Sequence, residues 1–221
     1  MAISGILFDF NGTMVWDNAA NREAWAALVK EAWGRILSDQ ELDRVIQGND
    51  NRTVITFFAD GVLPETEYAR LSERKEVIYR DFSRQNQLRL IEGLPQLFDA
   101  LMEAGYPRNM ATASIRPNVE FYFSHYGLGR WFDLTKVAYD DGVTRPKPHP
   151  EMYEKAAARI GVSPKDCLVF EDSAAGIEAA VRAGVSNIIV MSKDGHFKAV
   201  PPQVRQIIRD YTEFDRSILG K

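Results

Sequence analysis

Acidic, hydroxyl and lysine side chains stand in this chain at or just beyond the ends of short apolar runs. Asp9 and Asn11 close the run that begins at Ile3, and Thr112 and Ser114 close the one that begins at Asn109. Lys147 lies in the segment RPKPHP, and Glu171 with Asp172 follow Cys167–Phe170. Brought together, the three carboxylates, the lysine and the hydroxyl make a compact site of mixed charge. Oxygen ligands such as those of Asp9 and Asp172 suit Mg²⁺, a hard cation that keeps several waters and takes one or two protein carboxylates. A lysine beside such an ion shares the negative charge of a phosphoryl group, so the chemistry indicated is phosphoryl transfer on a small anionic metabolite.

What must position these groups is a parallel sheet. The run from Ile3 to Phe10 reads as a strand entering a polar turn of Asn11, Gly12 and Thr13. Apolar runs recur at Asn109–Ala113, Cys167–Phe170 and Asn187–Met191, each followed by small or polar residues and then a helical pattern. Such alternation predicts an α/β fold, a Rossmann-like parallel sheet with helices on both faces, in which ligands gather beyond the carboxyl ends of the strands. From Asp17 to about Gln87 the period changes: Trp25, Leu28 and Val29, then Val54, Phe57 and Phe58, then Leu71, Val77 and Ile78 recur at helical spacing. An inserted α-helical cap domain over 17–88 follows, leaving 1–16 and 89–221 as the core domain. Gly93 to Gly105 resumes the core with a helix, and Pro201 to Lys221 reads as a helix or two.

With 221 residues the chain can bury one such core and its insert. A formal charge of -4 spread over both signs offers no basic stripe, which argues against nucleic-acid and membrane-surface partners and leaves an anionic substrate to be held by local cations. One cysteine, Cys167, rules out an intramolecular disulfide, and beside Leu168, Val169 and Phe170 it reads as a small buried apolar residue. No apolar stretch reaches the ~20 residues of a bilayer-spanning helix, and the first residues carry no basic leader. The expectation is a cytoplasmic monomer or dimer.

Taken one at a time, these polar residues have plainer readings. An Asp or Asn after a strand forms turns, a lysine between prolines sits in a solvated loop, and Glu171–Asp172 ahead of Ser173 suits a helix start near Ala174. Jointly they read otherwise. The segments FDFNGT, ATAS, RPKPHPEMY and VFEDSAAGIEAA, in this order and spacing, resemble the four motifs of haloacid dehalogenase-type phosphatases and phosphomutases. The helical insert between the first two resembles the branch that holds β-phosphoglucomutase and small-sugar phosphatases, and the resemblance runs from residue 3 to about residue 192. It implies that Asp9 is the nucleophile, forming an aspartyl-phosphate, and also a ligand of Mg²⁺. It implies further that Ser114 donates to the transferring phosphoryl group and that Lys147 neutralises the nucleophile and phosphate oxygens. Asp172 would complete the metal shell, Glu171 would act on it directly or through water, and the backbone carbonyl of Asn11 would be a further ligand.

Two departures bear on activity. Most members carry a second aspartate two residues after the nucleophile, as general acid and base; here it is Asn11, and an amide exchanges no proton at neutral pH. That substitution is equally compatible with natural specialisation, an engineered trap and a coding variant. Phosphoglucomutase-like members place a histidine ahead of an Ala-Trp pair, whereas this chain has Asn21 ahead of Ala24–Trp25, which weighs against isomerase work. A phosphatase leads, with a sugar-phosphate mutase and a silenced phosphometabolite sensor as alternatives. For substrate contact, Gly48 allows close backbone approach and Arg52 offers a bidentate fork, although the same stretch reads as an inter-helix loop with Asp50 or Asn51 starting a helix. Arg116 and Asn118 stand in reach of a distal phosphate, Arg116 being equally suited to plain surface. Closure of the cap through the connectors Met14–Asp17 and Asn86–Arg89 would exclude water.

Overall fold

The computed structural model describes residues 3–46 and 50–220, and they form two compact units. One unit joins the chain up to Trp16 with the chain from Arg89, and the other is Asp17–Leu88.

The first unit is built on a six-stranded sheet in the order β3-β2-β1-β4-β5-β6, and every neighbouring pair is parallel. Its strands are β1 (Gly5–Phe8), β2 (Arg108–Ile115), β3 (Ala138–Asp140), β4 (Cys167–Glu171), β5 (Asn187–Met191) and β6 (Val204–Ile208). All four residues of β1 and all five of β4 are buried, as a sheet covered on both faces requires of its central strands. Helices α5 (Leu94–Glu103), α6 (Arg116–Tyr126), α7 (Glu151–Ala158) and α8 (Ala174–Arg182) make the connections. One apolar cluster joins Leu7, Val169 and Val190 to Tyr153 and Ala156 of α7 and Ile177 of α8. Phe8 anchors an aromatic cluster: it stacks on Phe170 with ring centroids 4.8 Å apart and meets Phe98 edge-on at 5.2 Å. Such pairs contribute about 0.5–1.5 kcal/mol each beyond area burial.

The chain runs outward from β1 to β2 and β3, then returns to β4 on the other flank. The order therefore reverses between β1 and β4, and residue 9 leaves β1 at this crevice.

One expectation for this unit is corrected. The segment from Pro201 is not helical: Val204, Ile207 and Ile208 belong to a parallel strand beside β5, and the chain then makes two short 3-10 turns, Tyr211–Glu213 and Arg216–Leu219. A short β-branched run is ambiguous between periods, and pairing with β5 decides it. Strand β3, three residues long, carries too little pattern to be read at all. Burial raises the pKa of the Cys167 thiol to about 12, aided by Asp166, so it is protonated and inert at neutral pH.

The second unit is helical: α1 (Asn18–Trp33), α2 (Asp39–Ile46), α3 (Asn51–Ala59) and α4 (Glu65–Gln85). Trp25, Leu28 and Val29 of α1, Val54, Ile55 and Phe58 of α3, and Leu71, Ile78 and Tyr79 of α4 are buried. Phe57 departs from the expected core, being 53% exposed, because it adjoins Phe58 on a helix and both cannot face inward. A buried ion pair joins two consecutive residues of α4, Lys75 to Glu76 at 3.0 Å, with Asn51 of α3 also donating to Glu76 at 3.0 Å and the Lys75 ammonium over the rings of Trp25 and Tyr79. No described helix is long and apolar enough to cross a membrane.

Candidate active site

Asp9 is held by the sheet itself. Its backbone N–H donates to the carbonyl of Phe170 at 3.0 Å, extending the β1–β4 pairing, and the residue is 8% exposed. The following turn folds back: the amides of Thr13 and Met14 donate to the carbonyl of Phe10, and that of Gly12 donates to Val15. The side-chain hydroxyl of Tyr211, from the turn after β6, donates to the carbonyl of Thr13 at 2.8 Å and braces this turn from the other end of the chain. Burial raises the Tyr211 pKa well above the ordinary tyrosine value, and Asp9 and Asp172 add to it, so its hydroxyl keeps its hydrogen.

Lys147 reaches Asp9 from the loop between β3 and α7. Its ammonium donates to Oδ1 of Asp9 at 2.7 Å and to Oε1 of Glu171 at 2.6 Å. The loop is fixed locally, with Asp141 accepting from the amides of Val143 and Thr144, Lys155 donating to the Thr144 hydroxyl, and Arg145 paired with Glu151. His149 accepts the Glu151 amide and belongs to the same scaffold. Burial works against the charge on Lys147, but Asp9 and Glu171 outweigh it and hold the pKa well above the usual lysine value. A cation so placed stays charged throughout the physiological range.

Glu171 organises its neighbours. One oxygen accepts from Lys147 and from the Tyr153 hydroxyl at 3.1 Å, and the other accepts from the backbone amides of Asp172 and Ser173, both at 2.7 Å, and from the Ser173 hydroxyl. The helix cap is Ser173, whose side chain accepts from Gly176. The carboxylate of Asp172 accepts from the Thr13 hydroxyl at 3.3 Å and packs against Gly12. Gly12 has a left-handed φ of +71°, and a Cβ there would stand 2.1 Å from Oδ2 of Asp172. Only glycine permits this approach.

A hard divalent cation fits this donor set. Asp9, Glu171 and Asp172 each present a carboxylate oxygen, all within 4.8 Å of one another, with the glycine gap leaving Asp172 room to face Asp9 across the crevice. Both oxygens of Glu171 also accept hydrogen bonds, one from Lys147 and Tyr153 and the other from the Asp172 and Ser173 amides.

Ser114, at the end of β2, donates its hydroxyl to Oδ1 of Asn11 at 2.8 Å, and both residues contact the hydroxyl of Tyr122, on α6. Thr112 is fully buried, and its hydroxyl accepts the Ser114 amide at 3.1 Å.

The predicted substrate contacts fare differently. Arg116 is an exposed surface residue paired with Glu120, four residues along α6. Asn118 is 3% exposed, turned into the core unit. In the helical unit, Arg52 is held by Glu65 at 2.8 Å with its guanidinium 4.2 Å from the Tyr68 ring centroid, while Asp50 caps α3 by accepting from Thr53. Asn21 is half-buried on α1. Gly48 lies outside the described residues. Sequence reasoning missed three tyrosines, Tyr122, Tyr153 and Tyr211. Tyr153 lay inside a motif quoted for its lysine; the others carried no signal beyond a hydroxyl in an apolar pattern.

Comparison with known proteins adds an independent finding. A family model described as haloacid dehalogenase-like hydrolase matches residues 3–184. A validoxylamine A 7'-phosphate phosphatase of Streptomyces hygroscopicus is 31% identical over 188 residues, covering 81% of each chain. A fructose-1-phosphate phosphatase of Escherichia coli is 31% identical over 192 residues, covering 85% of this chain and 96% of that one. Among solved structures, a HAD hydrolase of family IA, variant 3, from Entamoeba histolytica superposes with a TM-score of 0.90 at 28% identity, over 99% of this chain and 98% of the other.

Proposed function

The chain belongs to the haloacid dehalogenase-like hydrolases and is a phosphoric monoester hydrolase of that family, and from this premise we propose that it dephosphorylates small phosphorylated metabolites through a covalent intermediate on Asp9. The observation that carries the reading is the single ammonium of Lys147 spanning Asp9 and Glu171, with Asp172 beside them. In the first step an oxygen of Asp9 forms a bond to phosphorus as the bond from phosphorus to the substrate oxygen breaks, and that oxygen departs with the electron pair. Water then attacks phosphorus, releasing inorganic phosphate and regenerating the carboxylate.

Lys147 holds Asp9 in an orientation set by the sheet and balances charge as the phosphoryl oxygens arrive. Mg²⁺ would be held by Asp9, Asp172 and the backbone carbonyl of Asn11, and when bound it supplies further neutralisation of phosphoryl charge. Asn11 lends a hydrogen bond and no proton, so leaving oxygens that depart readily as anions are served best.

A screen of acyl phosphates, phosphoanhydrides and alkyl phosphates with Mg²⁺, read as phosphate release, tests this. Acyl phosphates should turn over fastest, and rates independent of leaving-group pKa would overturn the assignment of Asn11. Conversion of β-glucose 1-phosphate to its isomer without phosphate release would instead identify a mutase.

The glycine gap gives a separate test of the cation site. Gly12→Ala should cost about 1–2 kcal/mol in stability for the left-handed backbone alone, and it should displace Asp172. Thermal melts of parent and variant with and without Mg²⁺ measure both effects. A variant that keeps the parent's full Mg²⁺-induced rise in Tm would remove Asp172 from the metal shell.

A further inference from the structure

Asn11, Ser114 and Tyr122 close a ring of hydrogen bonds. Nδ2 of Asn11 meets the Tyr122 hydroxyl at 3.2 Å, Oγ of Ser114 meets Oδ1 of Asn11 at 2.8 Å, and the two hydroxyls lie 2.9 Å apart. Three edges require three hydrogens. The hydroxyls supply one each, so the third must come from residue 11. An amide has both the N–H and the carbonyl oxygen to complete the circuit, which runs from Nδ2 of Asn11 to the Tyr122 hydroxyl, from that hydroxyl to Ser114, and from Ser114 to Oδ1 of Asn11. In this sense the hydrogen of Ser114 is used inside the ring. An ionised carboxylate at position 11 would accept on both oxygens and donate nothing, leaving one edge as two oxygens in repulsive contact. The ring is matched to the amide.

Packing fixes where the Tyr122 hydroxyl stands. The side chain is fully buried, and its ring stacks on Phe10 with centroids 3.5 Å apart and planes at 10°. Phe10 sits between Asp9 and Asn11 in the chain, so one aromatic pair ties the height of the hydroxyl to the loop that carries the nucleophile. A phenylalanine would keep this stack. The tyrosine adds only the oxygen, and that oxygen lies on Asn11 and Ser114, at the ends of β1 and β2.

We infer that Tyr122 is a positioning residue: it fixes the amide plane of Asn11 and retains the Ser114 hydrogen in the ring, so that residue 11 serves as an oriented amide donor and not as a proton carrier. This rests on the reading of Asp9 as nucleophile and deepens it. The site is organised around substrates whose leaving oxygen departs as an anion, and Tyr122 keeps it so.

The test pairs kinetics on acetyl phosphate with Mg²⁺ against solvent exchange of the Asn11 side-chain amide by NMR, its signal identified by loss in Asn11→Asp. Tyr122→Phe should lower kcat about fivefold with KM changed less than about twofold, and should speed Asn11 amide exchange by a similar factor. In the Asn11→Asp background, where the ring cannot close, Tyr122→Phe should change kcat by less than about twofold. Equal losses in both backgrounds would reduce Tyr122 to a structural role, and unchanged amide exchange in Tyr122→Phe would overturn the ring itself. Should Tyr122→Phe fold poorly, Ser114→Ala opens the ring from its other side and must speed the same exchange. Full activity in Asp9→Ala would instead defeat the nucleophile assignment, while the NMR readout still reports on the ring.

Discussion

Asp9→Ala should abolish phosphate release by a factor of about 10⁴ or more on every substrate the parent turns over, because loss of a covalent nucleophile leaves only binding and electrostatics to act on water. The substitution also strands Lys147, a buried ammonium whose charge is maintained by Asp9 and Glu171 together. Removing one partner of such a cluster costs stability in its own right, so a folding defect must be separated from a chemical one. Asp9→Asn does this, since the amide oxygen still accepts from the ammonium and the side chain keeps its volume. The expected pattern is a modest fall in Tm for Asp9→Asn, a larger one for Asp9→Ala, and equally absent turnover in both. A freshly prepared Asp9→Asn sample within about tenfold of the parent rate would end the case for a covalent intermediate at this residue.

Asn11→Asp should raise turnover of alkyl phosphates by about 10²–10⁴-fold, the usual contribution of a positioned general acid and base. The effect should shrink toward acyl phosphates, whose leaving carboxylates need no proton. Geometry tempers the gain. A carboxylate at position 11 cannot donate to Tyr122, so the ring with Ser114 opens and part of the advantage of a proton carrier is lost to a less ordered side chain. The discriminating measurement is the dependence of log kcat on leaving-group pKa: steep for the parent, shallower for Asn11→Asp. Parallel lines displaced by a constant would mean that residue 11 touches the phosphoryl group and not the leaving oxygen.

Much of this arrangement is legible in the residues, for a topological reason. Asp9, Ser114, Lys147, Glu171 and Asp172 lie at or beyond the carboxyl ends of strands, and a parallel sheet carries such ends to one edge whatever their separation in sequence. What escapes is whatever depends on packing. Tyr122 sits eight residues beyond Ser114 on a helix that also buries Phe121, and the stack on Phe10 aims its hydroxyl at the site. Tyr211 follows a strand that its own sequence does not distinguish from a helix, because five residues of mixed polarity fit either period. Arg52 and Arg116 looked available as anion forks, yet each lies beside a glutamate in space, Glu65 or Glu120, and a sequence cannot tell which surface charges will find each other.

The brace from Tyr211 to the carbonyl of Thr13 joins residues 198 positions apart. During synthesis the turn after Asp9 leaves the ribosome early, and the hydroxyl that steadies it arrives among the last parts of the core. Nascent chains that have not yet released β6 and the turn after it therefore hold the turn after Asp9 by its own backbone hydrogen bonds, without this cross-brace.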